Sequence, residues 1–453
     1  MMLVKNRGEL IGLFGSRGEK ALRILEEGIN SADPYRMTLK TLKYEKGILR
    51  VKGLEFKVKG RIYVIGVGKA SGRMAQALED SLGDLIDAGI VVVPRGTKNR
   101  YPLKRVRVLE ADHPLPTKEN LRAANAILDL VKQLDDDDLV VFLVSGGGSA
   151  LLPLPPEDVP LEEKRRLVDL LLKSGASIYE LNTVRKHVSR VKGGWLAKHM
   201  YPATVISLII SDVVGDRLDM VASGPTVPDP TSFKDALNVL ERYGLLKLRD
   251  SPAVKYIVEG AEGRRPETPK PGDKVFHKVY NILVAGNRIS LEAMYNMARK
   301  YGYKPLILTS MLEGEAREVG KVVASIAREV ESYGWPIQRP ACILLGGETT
   351  VKVVGDGVGG RNQELALSAA LSIRGLKKTL IASIGSDGID GVTDAAGAMV
   401  DGKTVDYAES LGLDPIDYLY RNDSYNFFKK VGGLIYTGYT GTNVNDFTLI
   451  LVD

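Results

Sequence analysis

Short apolar runs alternate with helical patterns along the first half of the chain. The apolar runs are of strand length and are rich in β-branched residues; they lie at 62–65, 90–93, 106–110, 139–144 and 204–210. Buried strands that alternate with helices at this spacing are typical of a parallel, doubly wound sheet. The pattern therefore predicts an α/β fold for this half.

The alternation starts again after a proline-rich segment at 266–272. Further apolar runs of strand length follow at 280–285, 304–309, 341–345, 351–354, 380–384 and 447–452. The chain is too long for one hydrophobic core, so we expect two α/β domains, 1–270 and 271–453, joined near 262–278. Ligands are expected at the carboxyl ends of strands and in the cleft between the domains.

Composition narrows the class of protein. The chain has 62 Lys and Arg against 56 Asp and Glu, and no block of five like charges, so nucleic acid is not the expected partner. No apolar run approaches the roughly 18 residues that suggest a membrane span, and no signal peptide is visible, so we expect a cytoplasmic protein without membrane contact. The only cysteine, Cys342, excludes an intrachain disulfide, and the four glutamines suggest a thermophilic source.

A glycine turn carrying a lysine follows the first apolar run. Gly66 and Gly68 lie between the predicted strand and a helix, and Lys69 adds a positive charge to the turn. The backbone N–H groups of such a turn and the helix dipole both favour an anion. The turn therefore predicts a site for phosphate or carboxylate.

A second glycine-rich loop, Ser145-Gly-Gly-Gly-Ser149, follows the run at 139–144. Consecutive glycines let backbone N–H groups approach phosphate oxygens, although a tight turn without a ligand is the alternative. A serine hydrolase is disfavoured, because Ala150 and Leu151 follow Ser149 where a nucleophile elbow needs a second glycine.

A dinucleotide-binding reductase is the main alternative function. Gly66 and Gly68 match part of its fingerprint, but the second strand ends in Pro94 and Arg95 instead of an acid that would bind the ribose. An arginine there could bind a 2′-phosphate, whereas Lys69 would crowd the pyrophosphate. The alternative stays open at this point.

Residues 397–404 match the Walker A pattern letter for letter, but polar residues precede them where a P-loop needs a buried strand. We interpret 398–400 as a short strand, Asp401 and Gly402 as a turn, and Thr404 as a helix N-cap.

Two further polar positions are candidates for phosphate chemistry. Asp212 follows the strand at 204–210, where a Mg²⁺ that bridges phosphates would be held. Arg361 lies in the first turn of a helix, where a cation is unfavourable. We therefore expect an anionic ligand that Arg361 shares with the helix dipole.

Taken together and in order, ten segments resemble the type II glycerate kinases, the family that carries the MOFRL domain. They are GVGKASGRMA (66–75), EADHPLPT (110–117), VSGGGSALL (144–152), LNTVRKHVSRVKGG (181–194), ISDVVGD (210–216), ASGPTVPDPTSF (222–233), GGETTV (346–351), GGRNQELAL (359–367), GSDGIDGVTDAAGA (385–398) and TGYTGTNVNDF (437–447). The resemblance implies an N-terminal Rossmann-like domain and a C-terminal MOFRL domain, with the active site in the cleft between them.

The same resemblance implies ATP-dependent phosphorylation of D-glycerate, usually at the 2-hydroxyl, with Mg²⁺ or another divalent cation. ATP and D-glycerate would be the only partners of a monomer or homodimer, and an NAD(P)-dependent hydroxypyruvate reductase is the alternative. Lys69 and Arg361 would be the catalytic residues, facing one another from different domains. We further assign Ser145, Gly146, Gly147, Gly148, Ser149 and Asn287 to the nucleotide, Gly68, Arg185, Asp387, Thr440 and Asn443 to the substrate, and Asp212 to the metal.

Overall fold

The computed structural model describes residues 2–453, and they form two compact units. The first unit comprises residues 34–211 and 217–284; the second comprises residues 2–33, 212–216 and 285–453. No helix in the described part of the chain is long and apolar enough to span a bilayer.

Strands and helices alternate through both units. The strands are β1 (Leu42–Glu45), β2 (Ile48–Val51), β3 (Leu54–Lys57), β4 (Ile62–Val67), β5 (Ile86–Pro94), β6 (Val106–Ala111), β7 (Leu139–Val144), β8 (Thr204–Ile210), β9 (Val279–Ala285), β10 (Lys304–Leu312), β11 (Ala341–Gly347), β12 (Thr379–Gly385), β13 (Gly397–Asp401), β14 (Leu434–Ile435) and β15 (Asp446–Val452). The helices are α1 (Arg7–Asn30), α2 (Pro34–Thr41), α3 (Ser71–Leu82), α4 (Lys118–Val131), α5 (Gly148–Leu151), α6 (Leu161–Lys173), α7 (Ile178–His187), α8 (Trp195–Met200), α9 (Phe233–Arg242), α10 (Pro252–Ala261), α11 (Asn287–Lys300), α12 (Ala316–Tyr333), α13 (Arg361–Ser372), α14 (Thr404–Ser410), α15 (Pro415–Tyr420) and α16 (Ser424–Val431).

The first unit contains the predicted doubly wound sheet. Its strand order is β6-β5-β4-β7-β8-β9, and the pairs from β6 to β8 are all parallel. Every residue of β4 and β7 is buried, because helices cover parallel sheets on both faces. The chain order reverses between β4 and β7, and ligands of such folds bind at the carboxyl ends of the strands beside this reversal. The Lys69 turn and the Ser145–Ser149 loop both lie there.

The compact units do not share the predicted boundary between residues 270 and 271. Strand β9 was expected to open the second domain, but it is the edge strand of the first sheet, next to β8. The proline-rich segment packs within the first unit: the amide of Asp229 donates to the Pro269 carbonyl (3.0 Å), and Glu267 accepts from the amide of Phe233 (3.0 Å). These contacts hold the segment against the unit, so it is not a free linker.

A three-stranded antiparallel sheet, β1–β2–β3, was not predicted from the sequence. Its strands have four residues each, and Lys46-Gly47 and Lys52-Gly53 form its turns with positive φ at all four positions. Two consecutive residues of positive φ match the right-handed twist of a hairpin, and a glycine at the second position is their sequence signal.

The sheet of the second unit is mixed. Its order is β10-β11-β15-β12-β13-β14, and β10–β11 is the parallel pair, whereas the pairs from β11 to β14 are antiparallel. The last strand, β15, lies between β11 and β12 and is buried throughout. The expected strand at 351–354 is wrong: these residues form no ladder, and Val353 and Val354 are exposed.

Helix α1 belongs to the second unit, although it precedes the first in sequence. It packs on α11 and β15 so closely that a Cβ atom built on Gly28 would lie 2.7 Å from Sδ of Met294 and 3.2 Å from Phe447. The side chains that bury the apolar face of α1 therefore come from the far end of the sequence.

The Walker A match at 397–404 is not a P-loop. As predicted, it forms a strand, a turn and a helix, with β13 antiparallel to β12. The predicted N-cap is displaced by one position: Lys403 is the N-cap, and Thr404 is the first residue of α14, with its hydroxyl accepting from the amide of Asp401 (3.0 Å).

Candidate functional site

The turn after β4 is hydrogen-bonded to the loop after β7. The amide of Lys69 donates to the Gly146 carbonyl (2.9 Å), and the amide of Ala70 donates to the Ser145 hydroxyl (3.0 Å). Gly68 has φ +124°, and a Cβ atom there would lie 2.3 Å from the Ser145 hydroxyl. Because only glycine tolerates this conformation and this close approach, Gly68 and Ser145 fix the backbone that carries Lys69.

The side chain of Lys69 lies at the sheet end without a counter-ion. Within residues 2–453 its ammonium group has no hydrogen-bond or ion-pair partner. Burial, and then the Lys69 charge, lower the pKa of the neighbouring His113. A Cβ atom built on Gly147 would lie 3.1 Å from Nε2 of His113 and 3.3 Å from Cγ of Lys69. An unpaired ammonium beside a neutral imidazole suits an anionic ligand.

The glycine-rich loop turns directly into the one-turn helix α5. Gly147 has φ +81°, and Gly148 is the first residue of α5. The Ser149 hydroxyl lies 2.7 Å from the Ser223 hydroxyl, and the Ser149 carbonyl accepts from Nζ of Lys192 (2.9 Å). Ser145, predicted to bind nucleotide, is buried and holds the Lys69 turn instead of facing open space.

A cavity of about 380 Å³ adjoins this loop in the first unit. Gly147, Ser149 and His113 form part of its wall, and Arg185 and Lys192 line it further in. Burial lowers the pKa of Arg185 to about 10, and burial together with the Arg185 charge lowers the pKa of Lys192 to about 7. The predicted residue Arg185 is thus brought to the same place as the predicted phosphate loop.

In the second unit, Arg361 is held by two carboxylates. Asp446 accepts hydrogen bonds from its Nε (2.5 Å) and Nη2 (2.9 Å), and Glu348 forms an ion pair with its Nη1 (2.9 Å). Burial lowers the pKa of Arg361, but the hydrogen bonds to Asp446 together with the charges of Asp446, Glu348 and Asp390 outweigh burial and raise it. Burial raises the pKa of Asp446 to about 7 against the influence of Arg361.

The start of α13 is occupied by a buried aspartate, which corrects the sequence argument for Arg361. The carboxylate of Asp390 accepts from the amides of Asn362 (3.1 Å) and Gln363 (2.9 Å) and from both of their side chains. A Cβ atom on Gly360 would lie 2.3 Å from Cγ of Asp390, so glycine is required there. Asp390 takes the dipole position expected for a ligand, and Asp446 and Glu348 neutralise Arg361.

Three predicted substrate residues come together near Arg361 within the second unit. The amide of Thr440 donates to the Asp387 carbonyl (3.1 Å), and the side chain of Asn443 accepts from the amide of Asn445 (3.0 Å). A Cβ atom on Gly385 would lie 3.2 Å from Oδ1 of Asp387 and 3.5 Å from Oδ1 of Asp446. Asp387, Thr440 and Asn443 therefore surround the start of β15, where Asp446 holds Arg361.

The predicted nucleotide residue Asn287 lies at the start of α11 and is buried. Its side-chain NH₂ donates to the carbonyls of Val444 (2.9 Å) and Asp446 (3.1 Å). Its Oδ1 has no hydrogen-bond partner among residues 2–453, and it would lie 1.9 Å from a Cβ atom on Gly346. These contacts give Asn287 a role in supporting the chain that leads to Asp446.

The predicted metal residue Asp212 lies in the second unit, where its main-chain carbonyl accepts from Nδ2 of Asn445 (2.9 Å). The same Nδ2 also donates to Glu348 (2.9 Å). Residues 2–453 contain no group of three or more His, Cys, Asp or Glu that could hold a metal by themselves. Mg²⁺ usually binds through one or two carboxylates and substrate phosphates, so a single carboxylate such as Asp212 fits that mode.

A second cavity, of about 620 Å³, lies within the second unit and is lined by Arg361, Glu348 and Glu364. Glu364 is occupied on both oxygens, by Arg317 (2.8 Å) and by Asn422 (2.9 Å). Arg361 donates two of its five N–H groups to Asp446 and forms an ion pair with Glu348, so three N–H groups are not hydrogen-bonded to the protein.

The sequence did not indicate Asp446, Glu348, Asp390 or Lys192. All four lie in segments quoted for the family resemblance, and each contacts its partner only in the fold. The segments are GGETTV for Glu348, GSDGIDGVTDAAGA for Asp390, LNTVRKHVSRVKGG for Lys192 and TGYTGTNVNDF for Asp446. Arg95, which a reductase would need for a 2′-phosphate, instead forms two hydrogen bonds to Asp112 (2.5 and 3.0 Å).

Comparisons with known proteins agree on one family. A domain of unknown function, DUF4147, matches residues 20–258, and the MOFRL family matches residues 341–446. The chain is 45% identical to the glycerate 2-kinase of Pyrococcus horikoshii over 96% of this chain and 97% of that protein, and 36% identical to human glycerate kinase over 98% and 95%. A crystal structure of glycerate kinase from Thermotoga maritima superposes with a TM-score of 0.86 at 41% identity, covering 97% of this chain and all of that one.

Proposed function

Because this chain belongs to the glycerate kinases that combine a DUF4147 domain with a MOFRL domain, we propose that it transfers the γ-phosphoryl group of ATP to the 2-hydroxyl of D-glycerate. The chain is a kinase enzyme, and phosphorylation of glycerate is the activity that its relatives carry by name. ATP as donor, the 2-hydroxyl as acceptor and a divalent metal are the specific parts of the proposal. The hydroxypyruvate reductase alternative is not favoured.

The observation that carries the proposal is the unpaired ammonium of Lys69 beside the glycine-rich loop. Its turn is fixed by Gly68 and Ser145 at the strand reversal of a doubly wound sheet. Transfer of a phosphoryl group needs positioning and charge neutralisation more than covalent catalysis by the protein. A rigidly mounted, unpaired cation next to N–H groups that can bind phosphate supplies both.

Arg361 has the complementary role of binding an oxyanion in a fixed orientation. Two hydrogen bonds to Asp446 and an ion pair with Glu348 hold its guanidinium, and three N–H groups are left without a hydrogen bond to the protein. The carboxylate of glycerate or the transferring phosphoryl group matches this planar donor. Asp387, Thr440 and Asn443 surround the same end of β15 and would contact the rest of glycerate.

In the reaction, the 2-oxygen of glycerate forms a bond to the γ-phosphorus as the bond from that phosphorus to the bridging β-oxygen breaks. The hydroxyl proton passes to solvent, and the bridging oxygen leaves with ADP. Lys69 stabilises the negative charge on the γ-phosphoryl oxygens, and Arg361 fixes the acceptor. We propose that Asp212 provides the protein ligand for Mg²⁺, which supplies further neutralisation of the phosphates when bound.

One assay separates the two candidate functions. ADP release should depend on D-glycerate, while NADH and NADPH should not be consumed with hydroxypyruvate. Oxidation of either cofactor without ADP release would overturn the proposal. Phosphorus NMR of the product identifies the hydroxyl: 3-phosphoglycerate would contradict the 2-hydroxyl assignment alone. Addition of EDTA tests the metal, and full activity in EDTA would contradict the assignment of Asp212.

We also propose that the enzyme acts in the cytoplasm as a monomer or homodimer and that it is heat-stable. Light scattering after gel filtration measures the mass, and a larger oligomer would contradict the proposal. Activity should survive incubation at about 70 °C, above the usual mesophile range of roughly 45–65 °C.

A further inference from the structure

The lining of the 380 Å³ cavity in the first unit combines cationic and apolar side chains. The cationic lining is Arg185, Lys192 and Lys164, and the apolar lining includes Leu115 and Leu172. All of these residues lie within the first unit, and Gly147 and Ser149 connect the cavity to the loop beside Lys69.

The cationic lining has no carboxylate as a counter-ion. No carboxylate pairs with Arg185 anywhere in the described residues, and Lys192 donates to the Ser149 carbonyl. Lys164 is buried and donates to the carbonyls of Pro153 (2.8 Å) and Val188. The acid on the cavity wall, Asp169, is exposed and pairs with Lys173 (2.8 Å).

Buried cations without carboxylates are costly unless an anion neutralises them. Burial lowers the pKa of both Arg185 and Lys192, the effect expected when a cation is removed from water. An anion with several negative charges would remove this cost. The cationic lining is therefore suited to binding a polyanion.

The apolar part of the cavity lining is exposed to solvent. Leu115 is 64% exposed and Leu172 is 54% exposed, and Val168 and Pro116 lie beside them. Exposed leucines at the mouth of a cavity indicate a ligand with an apolar surface. Glycerate, a three-carbon acid with two hydroxyls, offers no such surface and would leave most of the volume empty.

We propose that this cavity is the nucleotide site, with the triphosphate bound by Arg185 and Lys192 and the adenine packed between Leu115 and Leu172. The proposal rests on the proposed function, since it identifies where the ATP of that reaction binds. It moves Arg185 from glycerate, to which the sequence had assigned it, to the nucleotide. The cavity adjoins Gly147, so the terminal phosphate would lie towards Lys69.

Calorimetric titration of the full-length protein with ADP and with inorganic tripolyphosphate tests the cationic and the apolar lining separately. Arg185→Met should weaken both ligands at least tenfold, which corresponds to about 1.4 kcal/mol. The double variant Leu115→Ser and Leu172→Ser should weaken ADP at least fivefold and leave tripolyphosphate unchanged. Arg166→Met is the charge control, because Arg166 is exposed on α6, the helix that also carries Leu172, and lies outside the cavity lining.

The KM for D-glycerate separates this proposal from the proposed function. An unchanged KM in Arg185→Met, with weaker ADP binding, supports the nucleotide site. A raised KM for D-glycerate with unchanged ADP binding would show that Arg185 binds glycerate. It would overturn the nucleotide site, while the kinase function would stand. Wild-type protein that binds ADP in this cavity but never phosphorylates glycerate would overturn only the proposed function.

The serine variants keep the proposal falsifiable if Arg185→Met fails to fold. They replace exposed side chains, so the fold should tolerate them. ADP binding that is unchanged in the double serine variant would by itself overturn the placement of the adenine between Leu115 and Leu172.

Discussion

Asp446 accepts two hydrogen bonds from Arg361, from Nε at 2.5 Å and from Nη2 at 2.9 Å. The aspartate is the first residue of β15, where it pairs with Gly347 of β11 and Gly385 of β12. The arginine is the first residue of α13. The central strand of the sheet thus fixes the orientation of the guanidinium, and a change at either residue should affect folding and catalysis together.

Asp446 should make stability depend on pH. Burial raises its pKa from 3.8 to about 7, so the folded protein holds a proton that the unfolded chain releases. Since the folded state binds more protons in this interval, the contribution of Asp446 to the free energy of unfolding falls as pH rises from about 4 to about 7. Urea unfolding of wild type and Asp446→Asn at pH 5 and pH 8 should show wild type losing stability relative to the variant. A gap between them that grows with pH in favour of wild type would contradict this sign. Asp356→Asn, at an exposed loop position, controls for loss of one negative charge.

Asp390→Ala should be strongly destabilising. It leaves the buried amides of Asn362 and Gln363 and their side chains without an acceptor, at a cost of about 3 kcal/mol or more. The matched control is Asp414→Ala, which removes the exposed N-cap of α15 and should cost only about 1 kcal/mol. Equal losses of urea unfolding free energy in the two variants would show that Asp390 is no more than an ordinary cap.

Gly68→Ala should disrupt catalysis through the Lys69 turn. Its φ of +124° and the Ser145 hydroxyl 2.3 Å from the new Cβ force the turn away from the glycine-rich loop. We expect kcat to fall at least tenfold, or about 1.4 kcal/mol. Gly83→Ala is the control, since Gly83 also has positive φ but no atom within 4 Å of its Cβ position. If both variants lose the same activity, the contact with Ser145 is not what matters.

Lys69→Met should lower kcat by about 10²–10³-fold, the usual effect of removing one group that stabilises transition-state charge. The exposed Lys59, which lies 3.7 Å from Asp137, provides the control Lys59→Met. A loss below tenfold in Lys69→Met, with the glycerate KM unchanged, would remove Lys69 from the reaction.

Arg361→Lys should also lower kcat, because an ammonium cannot make the two parallel hydrogen bonds to Asp446. If Lys69 and Arg361 stabilise the same phosphoryl group, the double variant should lose less than the product of the two single losses. Fully multiplicative losses in steady-state kcat would indicate that the two residues act on separate groups.

The sequence predicted elements whose stability is local. Strands β7 and β8 have the predicted bounds, and the start of α4 is capped by the local pair Thr117 and Asn120. Continuous apolar runs and caps depend on neighbours in sequence, so a pattern reveals them. The prediction of a strand at 351–354 was wrong because Val353 and Val354 are exposed in a loop, and their sequence pattern is the same as that of a buried strand.

The candidate site was predicted where glycines mark it and missed where charges pair over distance. Position 68 needs glycine because of its own backbone conformation, so the sequence alone indicated the turn that carries Lys69. The pairs that Arg361 forms with Asp446 and Glu348 join residues from three strand or helix ends, and no spacing in the sequence encodes them. The argument that Arg361 at a helix start needs an anionic ligand was incomplete for this reason. The carboxylates that balance its charge are adjacent to it only in the fold.

The packing of α1 with the second unit bears on how the chain folds during synthesis. The ribosome completes residues 34–284 before it makes α11 and β15, against which α1 packs. Domains generally fold as units while the chain emerges, so the first unit can reach its native state while α1 is still an unsatisfied amphipathic segment of the nascent chain. Helix α1 is therefore made long before its packing partners, and translation through Val452 must finish before its apolar face is protected from chaperones and proteases.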